Sequence, residues 1–282
     1  MKPARAVGIA TKISDERASV MAEEISSWLK AHGAEIISCD PGRGPLSCAA
    51  DLLVCVGGDG TIIRVARRMV GSPVPLVGVN MGRVGFLAEL TPENWQECLG
   101  HALSEGFRQE KRLALEYTIE REGEDKAVGH AINDVVISRG GLARLLDLDL
   151  SIDGQLLQYL RADGLIISTP TGATAYSSSA GGPMLQPDMR VYSITAICPF
   201  INKMLPMVLG ESNIFEAKVR PTGAQPFVTV DGQELFELRP GDTLSVRALP
   251  EAMSFARFGM SDYISKLRST GFVTDSPGAP KA

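Results

Sequence analysis

Apolar and polar positions in the first hundred residues alternate between two kinds of segment. Short continuous apolar runs, typical of buried strands, are separated by stretches with apolar residues three or four positions apart, which predict amphipathic helices. Asp15 is placed to cap the first of these helices and His32 with Gly33 to end it. We predict strands at residues 6–10, 35–38, 51–56 and 74–79 and helices at 15–31 and 61–70. This order of strands and helices predicts a parallel sheet covered by helices.

After about residue 104 the pattern changes to many short alternating segments, which indicate a β-rich region. Asp153-Gly154 and Asp231-Gly232 lie between such segments and are strong signals for hairpin turns. Residues 254–267 predict a terminal helix, and residues 274–282 a disordered tail. The predicted strands are 115–121, 131–138, 146–152, 156–160, 164–168, 192–197, 214–219, 227–230 and 243–248.

We therefore predict an α/β domain and an all-β domain in one chain of 282 residues. The α/β domain, with its parallel sheet, spans residues 1–104. A β-rich, sandwich-like domain spans residues 105–252, and a helix with a disordered tail spans 253–282. A chain of this length fits two domains.

Composition and charge exclude several classes of protein. With 28 Lys and Arg against 33 Asp and Glu, the net charge is -5, so no broad basic surface exists for nucleic acid. The longest apolar region, residues 191–209, is broken by prolines, Asn202 and Lys203, which argues against a membrane span. The first residues are too poor in apolar side chains for a signal peptide.

The five cysteines and three histidines show no metal-ligand spacing and no C-x-x-C pair. We therefore expect no structural metal site and no disulfide framework. A soluble cytoplasmic protein is the resulting prediction.

A glycine-rich turn carries the first candidate chemistry. Residues 57–61, Gly-Gly-Asp-Gly-Thr, follow an apolar strand and precede a helix. Glycines let a phosphate approach the backbone, the helix N-terminus favours anions, and Asp59 supplies a carboxylate that could deprotonate a nucleophile. A tight turn with Asp59 or Thr61 as a helix cap explains the pattern about equally well.

Two further stretches combine polar residues with strands. Residues 80–86, Asn-Met-Gly-Arg-Val-Gly-Phe, form either a loop with Arg83 facing phosphate or a glycine turn with Phe86 in the core. Asn133 and Asp134 lie inside a predicted strand, where both residue types are unfavourable. They indicate a contact to a ligand diol or a bulge at a site, or an edge strand with outward polar groups.

A long run of small polar residues extends from Arg161 to Pro183. It offers many hydroxyl and backbone donors and one aromatic side chain, Tyr176, that could stack on a base. A solvated loop has a similar composition. The apolar strand that enters the run favours a site over a loop.

Together these stretches resemble the NAD kinase family. Residues 57–61 correspond to that family's G-G-D-G-T, residues 80–86 to N-x-G-x-x-G-F, and residues 133–134 to its Asn-acidic pair. Asp163-Gly164 with Thr169 to Tyr176 correspond to D-G-x-x-x-x-T-P-T-G-[ST]-T-A-Y. The resemblance covers about residues 50–250, and the last motif is the most specific.

The resemblance implies transfer of the ATP γ-phosphoryl group to the adenosine 2′-hydroxyl of NAD, at an active site between the two domains. A divalent metal, Mg²⁺, would arrive with ATP. NAD and ATP would be the only partners besides further copies of the chain, assembled as a homodimer or homotetramer in which neighbouring chains complete the pocket. Neither nucleic acid nor membrane is implied.

The resemblance also implies residue roles. Asp59 would be the general base, Asn133 and Asp134 would hold the adenosine part, and Thr174 and Tyr176 would surround adenine. Asp163, Ala175 and Ser179 would lie near the nicotinamide end. The other nucleotide-binding candidates are Gly58, Gly60, Thr61, Arg83, Phe86 and Arg161.

Two departures from the family pattern matter for the assigned roles. Asp134 stands where the family usually has Glu, and Leu205 where it often has Arg. A lipid kinase of the diacylglycerol or sphingosine type shares the G-G-D-G-T turn and is one alternative. A non-catalytic dinucleotide-binding regulator is the other, and an assay for NADP separates it from an enzyme.

Overall fold

In the computed structural model the chain forms two compact units. One comprises Met1–Glu110 and Met253–Ala282, and the other Lys111–Ala252. The described residues are 2–11, 15–37, 39, 49–82, 85–124, 126–141, 144–200, 204–221, 223–260 and 262–273.

The elements alternate in the first part of the chain and are mainly strands afterwards. The helices are α1 Glu16–Ala31, α2 Asp59–Arg68, α3 Trp95–Ser104, α4 Tyr176–Ser179 and α5 Tyr263–Ser269. The strands are β1 Ala6–Thr11, β2 Glu35–Ile37, β3 Leu52–Val56, β4 Leu76–Val79, β5 Arg108–Glu120, β6 Ala127–Ala131, β7 Asp134–Arg139, β8 Leu146–Ile152, β9 Gln155–Ala162, β10 Gly164–Ser168, β11 Val191–Ile197, β12 Met207–Gly210, β13 Ile214–Val219, β14 Pro226–Val230, β15 Glu234–Glu237 and β16 Thr243–Arg257.

The first unit is built on a parallel sheet in the order β2-β1-β3-β4. Every residue of β3 and β4 is buried, as expected for strands with helices on both faces. The side chain of Asp15 accepts a hydrogen bond from the N–H of Ala18 (3.2 Å) and begins α1, which ends at His32. The predicted α/β fold of this region is confirmed.

The second unit is antiparallel and β-rich, which confirms the predicted class. One sheet has the order β12-β11-β10-β7-β14-β15, and the other contains β13 between β16 and β8, with β9 beyond β8. Buried residues of both sheets, among them Ile137, Leu165 and Phe215, form one core. Asp153-Gly154 and Asp231-Gly232 form the two predicted hairpin turns, and both aspartates have positive φ (51° and 52°).

Two predicted elements are wrong. The single strand expected at 131–138 is two strands, β6 and β7, because Ile132 and Asn133 interrupt it. The helix expected at 254–267 begins only at Tyr263, because β16 continues to Arg257 and its Phe255 pairs in parallel with Leu76. A strand that is buried on both faces lacks the alternation of apolar and polar residues that identifies a strand. Its sequence therefore does not distinguish a strand from a helix.

The unit boundaries lie within β5 and β16. Residues 253–282, expected as a separate terminal segment, cluster with residues 1–110. Residues 274–282, expected as a disordered tail, lie outside the described residues.

Two observations concern the cysteines and the membrane. Cys39 is disulfide-bonded, whereas Cys55, Cys98 and Cys198 are free, so the expectation from the cysteine spacing fails at Cys39. Within the part of the chain that the structure describes, every helix is too short or too polar to cross a membrane.

Candidate active site

A buried glycine sets the direction of the turn between β3 and α2. Gly57 has φ +151°, and a Cβ at this position would lie 2.9 Å from the Cβ and Oγ1 of Thr61. Its N–H donates to the carbonyl oxygen of Val79 (3.0 Å), which ties the turn to the end of β4. Only glycine combines this backbone conformation with such close packing.

Asp59 is the first residue of α2, and its carboxylate is held by the loop after β4. Oδ2 accepts a hydrogen bond from the N–H of Phe86 (2.8 Å), and Oδ1 accepts one from the N–H of Leu87 (3.3 Å). A Cβ on Gly85 would lie 2.3 Å from Oδ1, so this glycine makes room for the carboxylate. Two of the sequence motifs therefore meet at Asp59.

The arrangement decides between two interpretations of the glycine turn. The residue that caps α2 is Gly58, and it makes no side-chain capping bond. The Asp59 carboxylate accepts from the N–H groups of residues 86 and 87 instead of capping the N-terminus of its own helix. Each carboxylate oxygen has about two lone-pair positions, so both oxygens keep acceptor capacity for a ligand. The cap interpretation is therefore wrong for Asp59.

The remaining candidates of this unit surround the turn. Gly58 and Gly60 are exposed and Thr61 is half-buried, so the backbone of the turn is open to a ligand. Phe86 is half-buried and contacts Phe272 edge to face, with ring centroids 5.5 Å apart. Arg83 lies outside the described residues.

A second cluster forms where the chain passes from β6 to β7. The carboxylate of Asp231 accepts hydrogen bonds from the N–H groups of Ile132 (3.1 Å), Asn133 (2.7 Å) and Asp134 (3.2 Å). The Asp231 N–H donates in return to the carbonyl oxygen of Asp134 (3.0 Å). The hairpin turn of β14 and β15 therefore fixes the backbone of both predicted ligand residues.

Asp134 is a buried acid, with 5% of its surface exposed. Burial, with a smaller contribution from the charge of Asp231, raises the pKa of Asp134 to about 7. Its carboxyl group is therefore partly protonated at neutral pH and is able to donate as well as accept a hydrogen bond. The pair at 133–134 is not an outward-facing edge, because Asp134 is buried and β7 lies between β10 and β14.

The threonine-rich run packs directly on Asn133. The Oγ1 of Thr169 donates to the carbonyl oxygen of Ile132 (2.6 Å) and accepts from the N–H of Gly172 (3.0 Å). The N–H of Thr169 donates to the carbonyl oxygen of Asn133 (2.9 Å). A Cβ on Gly172 would lie 2.2 Å from that same carbonyl oxygen. Two separate motifs are therefore brought together.

The side chain of Asn133 has unused hydrogen-bonding capacity. Its Oδ1 is buried and has no hydrogen-bond partner among the described residues. A buried unsatisfied acceptor is costly, and such a group is a candidate ligand contact.

The residues after the threonine run are accessible. Thr174 ends a short 3₁₀ turn, and Ala175 leads into α4. Tyr176, the first residue of α4, is 47% exposed, so its ring is available to a ligand. Ser179 at the other end of α4 is also exposed.

Arg161 and Asp163 do not join this cluster within one chain. Asp163 precedes β10, whereas Thr169 follows it, and a strand of this length separates the two by roughly 20 Å. The Asp163 carboxylate pairs with the Arg139 guanidinium (2.6 Å), and Arg161 lies 3.6 Å from Asp147.

Two residues of the site were not found from the sequence. Asp231 was identified only as a turn former, and its clamp on residues 132–134 is a contact almost a hundred positions away. Lys266 in α5 donates to the carbonyl oxygens of Phe86 and Ala88 in the loop beside Asp59. Its sequence carries no signal, because an isolated lysine in a predicted helix is typical of a solvated face. No group of three or more His, Cys, Asp or Glu side chains is placed to hold a metal ion in the described part of the chain.

Family models match both units. The model of the ATP-NAD kinase N-terminal domain matches residues 42–107, and that of the ATP-NAD kinase C-terminal domain matches residues 132–258. The matched ranges include Asp59, Asn133, Asp134 and Asp231.

Similar proteins are found at nearly full length. The NAD kinase of Nitratidesulfovibrio vulgaris strain DP4 is 44% identical, covering 98% of this chain and 94% of the relative. The NAD kinase of Oleidesulfovibrio alaskensis is 43% identical, covering 98% and 96%.

Solved structures share the fold. Yeast NADH kinase complexed with NADH has a TM-score of 0.87 and 25% identity, covering 99% of this chain and 91% of the other. An NAD kinase from Archaeoglobus fulgidus in complex with ATP has a TM-score of 0.74 and 26% identity, covering 94% and 99%.

Proposed function

The chain belongs to the NAD kinase family and is thus an ATP-dependent phosphotransferase acting on NAD, and we propose that Asp59 is its general base. Asp59 would accept the proton of the adenosine 2′-hydroxyl as that oxygen attacks the γ-phosphorus of ATP. The proton moves to the carboxylate, the new oxygen–phosphorus bond forms, and ADP leaves. The two alternatives, a lipid kinase and a non-catalytic regulator, find no support in the comparisons.

The observation that carries this proposal is the clamp on the Asp59 carboxylate. Two backbone N–H groups fix its orientation (2.8 and 3.3 Å) while both oxygens retain acceptor capacity. A base held in one orientation contributes through proximity as well as through proton transfer. The exposed backbone of Gly58 and Gly60 at the start of α2 supports phosphate binding beside it.

The second cluster supports recognition of the adenosine part of NAD. We assign ribose contacts to Asn133, whose buried Oδ1 has no partner among the described residues, and to Asp134. Thr174 and the exposed ring of Tyr176 would contact adenine, and Ala175 and Ser179 the nicotinamide end. Asp134 replaces the usual Glu, and its partial protonation would allow it to donate to a ribose oxygen.

Two other positions differ from the family pattern. Ala173 stands where the threonine-rich motif has Ser or Thr, and it is fully buried, which places it in the core. Leu205, in place of Arg, is 76% exposed.

The divalent metal that NAD kinases use with ATP is proposed to be Mg²⁺, entering as MgATP. Phosphoryl transfer depends mainly on positioning and on neutralising the phosphate charge, which a nucleotide-bound metal supplies. A cytoplasmic location is part of the proposal, because NAD and ATP are abundant there.

We also propose that the protein is a homodimer or homotetramer whose pockets contain residues of two chains. The separation between Asp163 and Thr169 along β10 supports this arrangement. If Asp163 and the residues after Thr169 contact the same dinucleotide, a second copy of the chain places Asp163 at that pocket more readily than the same chain does.

The test is NADP formation from NAD and MgATP by the purified protein and by Asp59→Asn. The substitution keeps the size of the side chain and removes its basicity, so kcat should fall on the order of 10² to 10⁴-fold with KM for NAD nearly unchanged. Glu93→Gln, which alters an exposed acid, is the control and should behave as wild type. A folded Asp59→Asn protein with wild-type kcat would overturn the assignment.

A further inference from the structure

A buried lysine of the C-terminal helix contacts the loop that holds Asp59. Lys266 in α5 is only 8% exposed. Its ammonium group donates to the carbonyl oxygens of Phe86 (2.9 Å) and Ala88 (2.8 Å). Lysine is almost never buried to this extent without partners, so these bonds are what make the position tolerable.

The loop that accepts hydrogen bonds from Lys266 also holds the Asp59 carboxylate. The N–H groups of Phe86 and Leu87 donate to the Asp59 carboxylate, while the carbonyl groups of Phe86 and Ala88 accept from Lys266. Phe86 therefore uses its N–H for one partner and its carbonyl for the other. The carbonyl group of Phe86 and the N–H of Leu87 belong to the same peptide unit, which is rigid, so moving that carbonyl group also moves the N–H that donates to Asp59.

The chain leading into α5 is fixed by an independent set of bonds. The carboxylate of Glu89 accepts from the N–H groups of Phe258 (2.7 Å) and Gly259 (2.9 Å) and pairs with the Arg257 guanidinium (3.2 Å). Both Glu89 and Arg257 are buried. Glu89 directly follows Ala88, which accepts from Lys266. The C-terminal segment therefore bonds to two adjacent residues of the loop.

The C-terminal helix is also fixed at its own ends. The side chain of Asp262 accepts from the N–H of Ser265 (2.7 Å) and caps the helix. Beyond the helix, the ring of Phe272 packs edge to face on Phe86. Lys266 is thus held on a short, well-anchored helix directly over the loop.

We propose that Lys266 is a positioning residue for the phosphoryl transfer, acting through the backbone of residues 86–88 to orient the Asp59 carboxylate. The proposal rests on the role of Asp59 as general base. A hydrophobic side chain of similar length would fill the same space without the cost of burying a charge. Such a side chain would not supply the two charge-assisted hydrogen bonds that fix the carbonyl groups of Phe86 and Ala88.

The experiment is a double-mutant cycle between Lys266→Met and Asp59→Asn, read as kcat and as KM for NAD and for MgATP. Lys266→Met alone should lower kcat about 10 to 100-fold with both KM values within about two-fold, since a small misplacement of a catalytic group has this effect. In the Asp59→Asn background the same substitution should lower kcat by less than about two-fold, because the group that it orients is already disabled.

Two variants control for loss of charge and for folding. Arg268→Met removes an exposed basic side chain from the same helix and should leave kcat unchanged. Lys266→Arg retains a charged donor and should recover part of the activity lost in Lys266→Met. If Lys266→Met does not yield folded protein, Lys266→Gln enters the same cycle and carries the same expectation.

The outcomes separate this proposal from the assignment of Asp59. A wild-type kcat in folded Lys266→Met, or equal losses in both backgrounds, would overturn the role of Lys266 and leave Asp59 as the base. A wild-type kcat in Asp59→Asn alone would overturn the assignment of Asp59 and, with it, the positioning role.

Discussion

Asp134 and Asp231 place two carboxyl groups beside one stretch of backbone, and their surroundings differ. The carboxylate of Asp231 accepts hydrogen bonds from the N–H groups of residues 132–134. Asp134 is buried, and burial with the neighbouring charge of Asp231 raises its pKa to about 7. One acid thus organises the backbone, and the other is poised to change its protonation near neutral pH.

The raised pKa of Asp134 predicts a stability that falls as pH rises. The folded state binds this proton up to about pH 7, whereas the unfolded chain releases it near pH 4. Between these values the folded state holds more protons, so raising the pH favours unfolding. Relative to Asp134→Asn, the wild type should lose roughly 2 to 3 kcal/mol of unfolding free energy between pH 5 and pH 8.

Urea denaturation at both pH values measures this difference. Asp188→Asn, which changes an exposed aspartate, is the matched control and should keep the pH dependence of the wild type. If Asp134→Asn and the wild type respond alike to pH, Asp134 is charged throughout and its proposed donation to a ribose oxygen fails.

At the scale of elements, the hairpin of β14 and β15 supports the backbone of Asn133 and Asp134, the residues that we propose to contact ribose. Asp231 at its turn has φ +52° and accepts from three N–H groups at the break between β6 and β7. Asp153 at the turn of β8 and β9 has nearly the same φ (51°) and accepts from the N–H of Ile214 (2.8 Å), but it lies at the surface. The two turns form a natural comparison.

We predict that Asp231→Ala destabilises the protein by about 2 to 4 kcal/mol, because it leaves several partly buried N–H groups without an acceptor. It should also raise KM for NAD, since the backbone of Asn133 and Asp134 is released. Asp153→Ala imposes the same strain of an alanine at positive φ and should cost clearly less stability, with KM unchanged. Denaturant unfolding and steady-state kinetics on both variants make the comparison, and equal losses of stability would contradict the clamp.

The same hairpin shows what the sequence could and could not reveal. Asp-Gly turns are local signals, so the turn was predicted correctly, as were the exact limits of β8, β10 and β13. The partners of Asp231 lie almost a hundred residues earlier, and no local pattern encodes them. The break at Asn133 and the strand at 254–257 were missed for the same reason, because tertiary contacts decide both.

The family motifs predicted Asp59 and the cluster around Asn133, but not how each is held. The sequence of residues 80–86 fits either a loop with Arg83 facing phosphate or a glycine turn with Phe86 in the core. The structure adds a third role, because the N–H groups of Phe86 and Leu87 hold the Asp59 carboxylate. Glycine at position 85 is explained only once the carboxylate is seen beside it. Arg83, whose phosphate contact stays a prediction, lies outside the described residues.

At the scale of the whole molecule, the positions of the candidate nucleotide-binding residues bear on whether the protein forms an oligomer. Asp163 and the cluster around Thr174 and Tyr176 are at opposite ends of β10, and the resemblance assigns all of them to one dinucleotide. The proposed oligomer, with a pocket completed by a neighbouring chain, would reconcile the two positions. Such a pocket would contain Asp59 from one copy and Asp163 from another.

This arrangement predicts that two inactive variants restore activity when they share an oligomer. Asp59→Asn lacks the base, and Asp163→Ala lacks the contact supplied to the neighbour. In a mixed dimer one pocket carries both defects and the other carries neither. Random assortment into dimers therefore should restore about a quarter of wild-type activity, since half of the dimers are mixed and each has one intact pocket. If all residues came from one chain, every pocket would carry one defect and mixing would restore nothing.

The measurement is NADP formation after the two purified variants are mixed, unfolded together in urea and refolded, with each variant treated alone as the reference. Light scattering on the same samples establishes that oligomers are present, which subunit exchange requires. A pair of variants at Asp59 and Tyr176, both of which we assign to the adenosine part of NAD, widens the test. Recovery for that pair would place Tyr176 with the neighbouring chain, and absence of recovery would place it beside Asp59 of its own chain. If the Asp59 and Asp163 variants co-assemble and still form no NADP, the shared pocket is excluded and Asp163 acts, if at all, within its own chain.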